Sequence, residues 1–243
     1  MSAHPFAGRT VAVTGASGSL GSALLLELHH QGAALVALTS SDQPLHLSSA
    51  DGDAVPLDQV RWQCGEEHTL QAVLQRCDVL VINHGFDSHG DRSAAAVQRS
   101  LEVNALSSWR LLELFAAIAS NDPPEARARE LWMNTSEAEI QAAVSPLYEI
   151  SKRLQGQLFS LRSLDLAGPQ LRLRRLVLGP FRSALNPIGV MSAPFVAREI
   201  LRQVGWNWGL VIVTPNPLTY VLMPLASLGR WLYFRATTNG SAC

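Results

Sequence analysis

Tyr148 and Lys152 stand four residues apart in the stretch SPLYEISKRLQG (145–156), and Lys152 is the only lysine in the 243-residue chain. The other eighteen basic residues are arginine. Four residues is about one helical turn, so both side chains fall on one face. A free tyrosine titrates near ~10 and is a poor acid or base at neutral pH. A neighbouring ammonium favours the phenolate and lowers that value. A lysine's compact charge on a flexible stem also donates hydrogen bonds to a cofactor ribose, where a guanidinium fork differs in shape and reach. The pair therefore predicts proton transfer coupled to hydride transfer. Ser136 ends the run LWMNTS, twelve residues before Tyr148, where its hydroxyl can orient a substrate carbonyl. Asn104, in SLEVNALSSW, is a mediocre helix former inside a helical run. A buried amide there can hold a water that links Lys152 to solvent.

A second cluster reads as a phosphate cradle. VAVTGASGSLG places Gly15, Gly18 and Gly21 between the first strand and the first helix. Glycines at such a turn allow a tight bend, a close approach of backbone to a pyrophosphate, and close helix–strand packing. The helix start then offers free N–H groups and the positive end of its dipole. The spacing is G-x-x-G-x-x-G, one residue longer than the G-x-G-x-x-G fingerprint. The second strand ends in LVALTSSD, with Thr39, Ser40 and Ser41 where many NAD-binding domains carry a carboxylate for the ribose 2′-hydroxyl. This favours NADP(H), with the hydroxyls as phosphate donors. NAD(H) stays open, because no Arg follows in the turn and Asp42 can swing in.

These groups need a scaffold that brings strand ends together, and the apolar pattern supplies one. Strand-like runs at 10–15, 34–40, 59–65, 78–85, 131–136, 171–179 and about 209–214 alternate with helix-length segments. Runs rich in Val and Leu on both faces, spaced by helices, indicate a parallel sheet covered on both sides. The expectation is an α/β fold, a single domain over 1–243: a doubly wound Rossmann-type parallel sheet flanked by helices, with ligands at the carboxyl ends of the strands.

Composition narrows the classes further. The chain is 47% hydrophobic and 16% charged, too apolar for a disordered protein. Its net charge is −1, and no like-charge run reads as a nucleic-acid surface, so no nucleic-acid partner is expected. Cys64, Cys77 and Cys243 have no paired spacing and read as reduced thiols of a cytoplasmic protein. The start, MSAHPFAGRTVAVTG, runs into a strand pattern without a secretory n- and h-region. Residues 204–229 carry no charge, which is long enough to cross a bilayer. Pro215, Pro217 and Pro224 interrupt them, so the expectation is a turn and then an apolar helix to about Phe234, a tail at about 215–235 that packs on a partner subunit or lies on a membrane surface. His84 with His89, and His29 with His30, are isolated pairs, and no metal site is expected.

Taken together, the residues resemble the short-chain dehydrogenases/reductases over about 8–215. TGASGSLG is similar to the family's cofactor loop, nearest its extended or atypical branches. NHG (83–85) stands where the family has Asn-Asn-Ala-Gly. LGPFRS (178–183) resembles the Pro-Gly segment that positions a nicotinamide, with Ser183 where Thr is common. The resemblance implies a catalytic tetrad of Asn104, Ser136, Tyr148 and Lys152. Cofactor contacts would come from Gly15, Ser17, Gly18, Leu20, Gly21, Thr39, Ser40, Asn83, His84, Gly85, Tyr148, Lys152, Gly179, Pro180, Phe181 and Ser183. Cys64-Gly65 replaces the Asp that often binds adenine. Several stretches also resemble the dehydrogenase part of bifunctional sterol desaturase/short-chain dehydrogenase proteins. The implied activity is NADP(H)-dependent interconversion of a carbonyl and an alcohol, by a protein that forms homodimers. The alternative is a catalytically weak NAD(P)-binding sensor or scaffold. Phe86, His89, Arg92, Leu147, Phe181, Leu185, Ile188 and Met191 should line a mostly apolar pocket suited to a lipophilic small molecule.

Overall fold

In a computed structural model that describes residues 5–49 and 51–238, short β-rich runs and amphipathic segments assemble into one parallel sheet. Its strands are β1 (Thr10–Thr14), β2 (Ala34–Thr39), β3 (Asp58–Arg61), β4 (Val79–Ile82), β5 (Arg129–Ser136), β6 (Leu171–Leu178) and β7 (Leu210–Val213), in the order β3-β2-β1-β4-β5-β6-β7. Every pairing is parallel. The chain leaves β1 toward one edge and returns at β4 to build the other half, so the crevice for a ligand opens where β1 and β4 end.

Strand alternation sorts the core onto two faces. Val11 and Val13 face α1 (Ser19–His30) and α6 (Ala193–Gly205), with Leu24, Leu28 and Ile200 among the buried residues there. Ala12 faces the other side, which α2 (Gln71–Gln75), α4 (Ser107–Ser120) and α5 (Pro146–Leu166) cover with Leu74, Phe115 and Phe159. Both faces are buried, so a run such as VLVI in β4 is apolar at every position.

Three boundaries differ from the sequence pattern. β3 stops at Arg61 and β4 at Ile82, short of 65 and 85, because Asn83, His84 and Gly85 leave the strand to pack over β1. The helical run that holds Asn104 begins before SLEVNALSSW, as α3 (Ala94–Leu101), and passes through a π-helical turn at Glu102–Leu106 before α4. Pro215 and Pro217 lie in the turn after β7, and the apolar helix expected after that turn is α7 (Thr219–Thr237), with Pro224 inside it. Among the described residues, no helix is long and apolar enough to cross a membrane. Cys64 and Cys77 are free thiols, and Cys243 lies outside the described residues.

Candidate active site

The loop after β1 is built by backbone constraints. Gly15 adopts φ +62°, and a Cβ there would stand 2.9 Å from the His84 Cα. Gly18 donates its N–H to the Gly15 carbonyl at 3.0 Å, and a Cβ on Gly21 would stand 2.2 Å from that oxygen. Gly18 is the N-cap of α1 and offers no side-chain cap. The helix start therefore keeps its N–H groups for a ligand, which fits a diphosphate. Leu20 is buried in the core, so only its backbone faces this cradle.

Beside it, the Ser17 hydroxyl lies 3.1 Å from Thr39 Oγ1, which also accepts the Ser41 N–H at 3.1 Å. Thr39 is buried. It fastens the two turns together, while Ser40 and Ser41 remain nearer the surface. Asp42 pairs with Arg61 Nε at 2.7 Å, with both side chains more than half exposed. Thr39 and Arg61 are partners across β2 and β3. The turn thus has an arginine after all, supplied by the neighbouring strand, where reading along one strand could not find it.

The end of β4 is held by a polar chain. Asn83 donates its N–H to Thr14 Oγ1 at 2.8 Å and its amide to the Thr14 carbonyl at 3.3 Å, and accepts from the Asn134 amide at 2.8 Å. The His84 Nδ1 lies 2.9 Å from Thr14 Oγ1, and its ring meets Trp62 edge to face at 5.3 Å. Burial, aided by the charge of Lys152, pushes His84 down to about 4 and leaves it neutral at physiological pH. Gly85 passes so close to Asn104 that a Cβ would stand 3.3 Å from its amide oxygen.

Asn104 sits within the π-helical turn and is fully buried. Its amide oxygen accepts the Phe86 N–H at 2.7 Å; its nitrogen donates to the Phe86 carbonyl and the Ser151 hydroxyl, each at 2.8 Å. Both amide hydrogens are used, so the side chain pins the loop after β4 to α5 and has none left for the expected water.

Ser136 closes β5, its hydroxyl accepting the Ala138 N–H at 3.2 Å, and Tyr148 lies in the first turn of α5, near enough for Ser136 to bear on its phenol. The Lys152 Nζ lies 5.7 Å from the centre of the Tyr148 ring. It donates to the Asn134 carbonyl at 3.2 Å and to Gln155 Oε1 at 3.0 Å. Gln155 and Asn134 carry no signature in the sequence beyond their spacing: Gln155 is one turn after Lys152, and Asn134 shares its strand face with Ser136. The electrostatics correct one expectation. Burial pushes Tyr148 up to about 12, with Ser136 opposing and the charge of Asp87 adding. Burial also pushes Lys152 down to about 8, with Glu139 opposing. Desolvation is the largest cause at both groups, and two of the three Lys152 N–H groups are taken up by Asn134 and Gln155. The bare site therefore holds a protonated phenol poised to give a proton to an oxygen that Ser136 orients.

The far wall comes from β6. Gly179 packs on Thr214, whose Oγ1 would lie 2.2 Å from an added Cβ. The Pro180 carbonyl accepts from Val190 at 3.1 Å and Arg182 donates to the Met191 carbonyl at 2.8 Å, folding 180–191 into a flap. Ser183 accepts the Asn186 N–H and stabilises the flap's own turn. Phe181 and Met191 pack on the core, whereas Ile188 is 85% exposed. Phe86 lies under the Arg99 guanidinium at 4.5 Å, and His89 takes φ +48° in the neighbouring loop.

Residues 11–138 match the model of the NAD dependent epimerase/dehydratase family. The chain is 45% identical over 234 residues to a monoglucosyldiacylglycerol epimerase of Synechocystis sp., a match covering 96% of this chain and 56% of that protein. The chain thus spans about half the length of the curated relative. Among solved structures it is similar to a short-chain dehydrogenase from Burkholderia cenocepacia in complex with NADP, with a TM-score of 0.74, 18% identity, and coverage of 96% and 99% of the two chains. It is also similar to a short-chain dehydrogenase from Sphingobium yanoikuyae in complex with NADPH, with a TM-score of 0.71, 15% identity, and coverage of 97% and 98%.

Proposed function

We propose, from the premise that this chain belongs to the NAD dependent epimerase/dehydratase family and has the short-chain dehydrogenase/reductase fold, that it inverts a hydroxyl-bearing carbon in the sugar headgroup of a glycosyl diacylglycerol. The observation that carries this reading is the convergence of the Ser136 hydroxyl and the Tyr148 phenol. The 45% identity to a monoglucosyldiacylglycerol epimerase supplies the substrate class. The cradle of Gly15, Gly18 and Gly21 would hold a nicotinamide cofactor, which would supply the acceptor and later donor of a hydride.

The chain's own residues handle the proton. Ser136 holds the reacting oxygen. As the carbon gives up its hydride, the hydroxyl proton passes to a deprotonated Tyr148, leaving a carbonyl. The sugar then presents its other face, the hydride returns, and Tyr148 gives the proton back to the oxygen, so the net reaction consumes no cofactor. The oxidative half of the cycle needs Tyr148 as phenolate against the burial that raises it; the Lys152 ammonium, 5.7 Å from the ring centre, would lower that cost with the cofactor in place. Asn104 fixes the loop at Phe86 that borders the substrate.

NADP(H) is the favoured cofactor in this reading, supported by Ser40, Ser41 and the Arg61 guanidinium at the end of β3, with Asp42 already neutralised. A simple dehydrogenase or reductase is the second reading. The pKa of about 12 at Tyr148 favours it, since a protonated phenol suits reduction of a carbonyl. Incubating the protein with glucosyl diacylglycerol and catalytic NAD(P) separates the two. An epimeric lipid without net change at the nicotinamide absorbance supports epimerisation. Stoichiometric cofactor turnover supports the second reading. Cofactor binding without either reaction supports a sensor or scaffold.

A further inference from the structure

Along α7 the buried side is narrow: Thr219 and Met223 face β7 and the loop after β5. The remaining surface is apolar and open. Tyr220, Val221, Leu222, Leu225, Leu228, Trp231, Leu232 and Tyr233 are all exposed, Leu225 at 61% and Tyr233 at 63%. Such a continuous patch on a helix marks a contact surface. By contrast, the outer side of α6 carries Arg198, Glu199 and Arg202, an ordinary solvated face.

The charge pattern decides what covers it. Residues 166–243 contain one acidic residue, Glu199, against eight arginines, in a chain of net charge −1. Glu199 is taken up by Arg202. On α7, Arg230 is used inward on Glu139 at 3.1 Å, while the exposed Arg235 stacks over Trp231 at 5.1 Å. A two-fold interface between copies pairs a face with itself, and this face has no carboxylate to meet its own arginine. Anionic lipid headgroups meet it, and their acyl region takes the leucines and the rings of Trp231 and Tyr233.

The start of α7 and the flap both belong to the elements around the candidate site. The flap exposes Ile188 and Val190, with Arg182 as its one charge. Glu137, next to Ser136, accepts hydrogen bonds from Thr214 at 2.7 Å and Thr219 at 3.1 Å, and Gln141 donates to Thr219 at 2.7 Å. The start of α7 is therefore tied to the loop that follows the catalytic serine.

We infer that α7 lies flat on an anionic membrane surface, with the face of Val221, Leu225, Leu228 and Leu232 sunk into the lipid and Arg235 at the headgroups. The inference stands on this surface and not on the glycolipid reading. Its test is co-flotation of the full chain with vesicles of phosphatidylcholine alone or with phosphatidylglycerol, alongside the double variant L225D/L232D and R235E. Both variants change exposed side chains, and retained melting temperature and NADP(H) binding confirm that they fold. The wild type is expected to float with the anionic vesicles and at least about tenfold less in L225D/L232D. R235E is expected to weaken flotation several-fold, and salt to weaken it likewise. Absence of flotation, or equal flotation on neutral vesicles, overturns the inference. So does a stable dimer in solution that L225D/L232D dissociates, which assigns the face to a second copy. Activity on the glycolipid is read separately, so either idea can fail alone.

Discussion

Because Lys152 is the only lysine of the chain, lysine-selective isotope labelling gives a single side-chain amine signal to follow by NMR. Burial lowers Lys152 to about 8 against the partial opposition of Glu139, so the signal of the cofactor-free protein is predicted to titrate near 8. A titration at or above the ordinary lysine value contradicts the buried placement between Asn134 and Gln155. Replacing Lys152 with Arg is predicted to reduce turnover by about 10²-fold or more, since a planar fork does not fit between the Asn134 carbonyl and Gln155; steady-state rates check it. At this scale Tyr148, Lys152 and Ser136 were legible, because helical spacing and a strand end bring residues together in a way a sequence displays. The direction of the Tyr148 shift was not. It depends on how much water three separate elements exclude, and spacing carries no measure of desolvation. Arg61 was hidden for a related reason: it reaches Asp42 only through the β2–β3 pairing. Arg61→Ala is predicted to weaken NADP(H) several-fold and leave NAD(H) unchanged, as read by titration calorimetry.

The strands and most helices follow from apolar periodicity, which the two faces of the sheet impose directly. The π-helical turn at Glu102–Leu106 does not. One extra residue in a helix leaves the hydrophobic pattern nearly unchanged, and only the demands of Asn104 on Phe86 and Ser151 reveal it. Asn104→Ala leaves the Phe86 N–H and C=O without their partner in a part-buried setting, each worth about 1–3 kcal/mol where water cannot replace it. For a chain of this size, where about 1 kcal/mol moves the midpoint by about 2–4 °C, the melting temperature is predicted to fall by at least about 4 °C in calorimetry. The first helix start makes a sharper prediction. A Cβ at Gly21 would stand 2.2 Å from the Gly15 oxygen, so Gly21→Ala should open the cradle and abolish cofactor binding. Unchanged affinity would remove the diphosphate from this loop. The apolar helix expected after the 209–214 strand is α7, which carries Pro224 inside it at the loss of one backbone hydrogen bond.

Across the whole molecule, the edge of the sheet away from the site is stitched by one carboxylate. Glu130 on β5 accepts from Arg9 at 2.9 Å, from Arg174 on β6 at 2.7 Å and from Trp132 at 3.1 Å. Burial raises its carboxyl, but Arg174 and Arg9 outweigh it and hold it at about 2, below the ordinary 4.5. A lowered carboxylate stabilises the fold above 4.5 and loses that contribution as pH falls toward 2. After solvent screening it is on the order of 2 kcal/mol. Acid denaturation of wild type and Glu130→Gln should therefore converge as the pH drops. The site at the opposite edge is where the fold meets its chemistry, and its central claim is that Tyr148 moves the proton during oxidation and re-reduction of one sugar carbon. The most direct measurement incubates wild type and Tyr148→Phe with glucosyl diacylglycerol and NADP⁺, follows the epimeric lipid by chromatography and mass spectrometry, and reads cofactor binding in parallel. The account predicts epimer from the wild type and a loss of about 10²- to 10⁴-fold in Tyr148→Phe, with cofactor affinity unchanged. Epimer formed by Tyr148→Phe at close to the wild-type rate would contradict it.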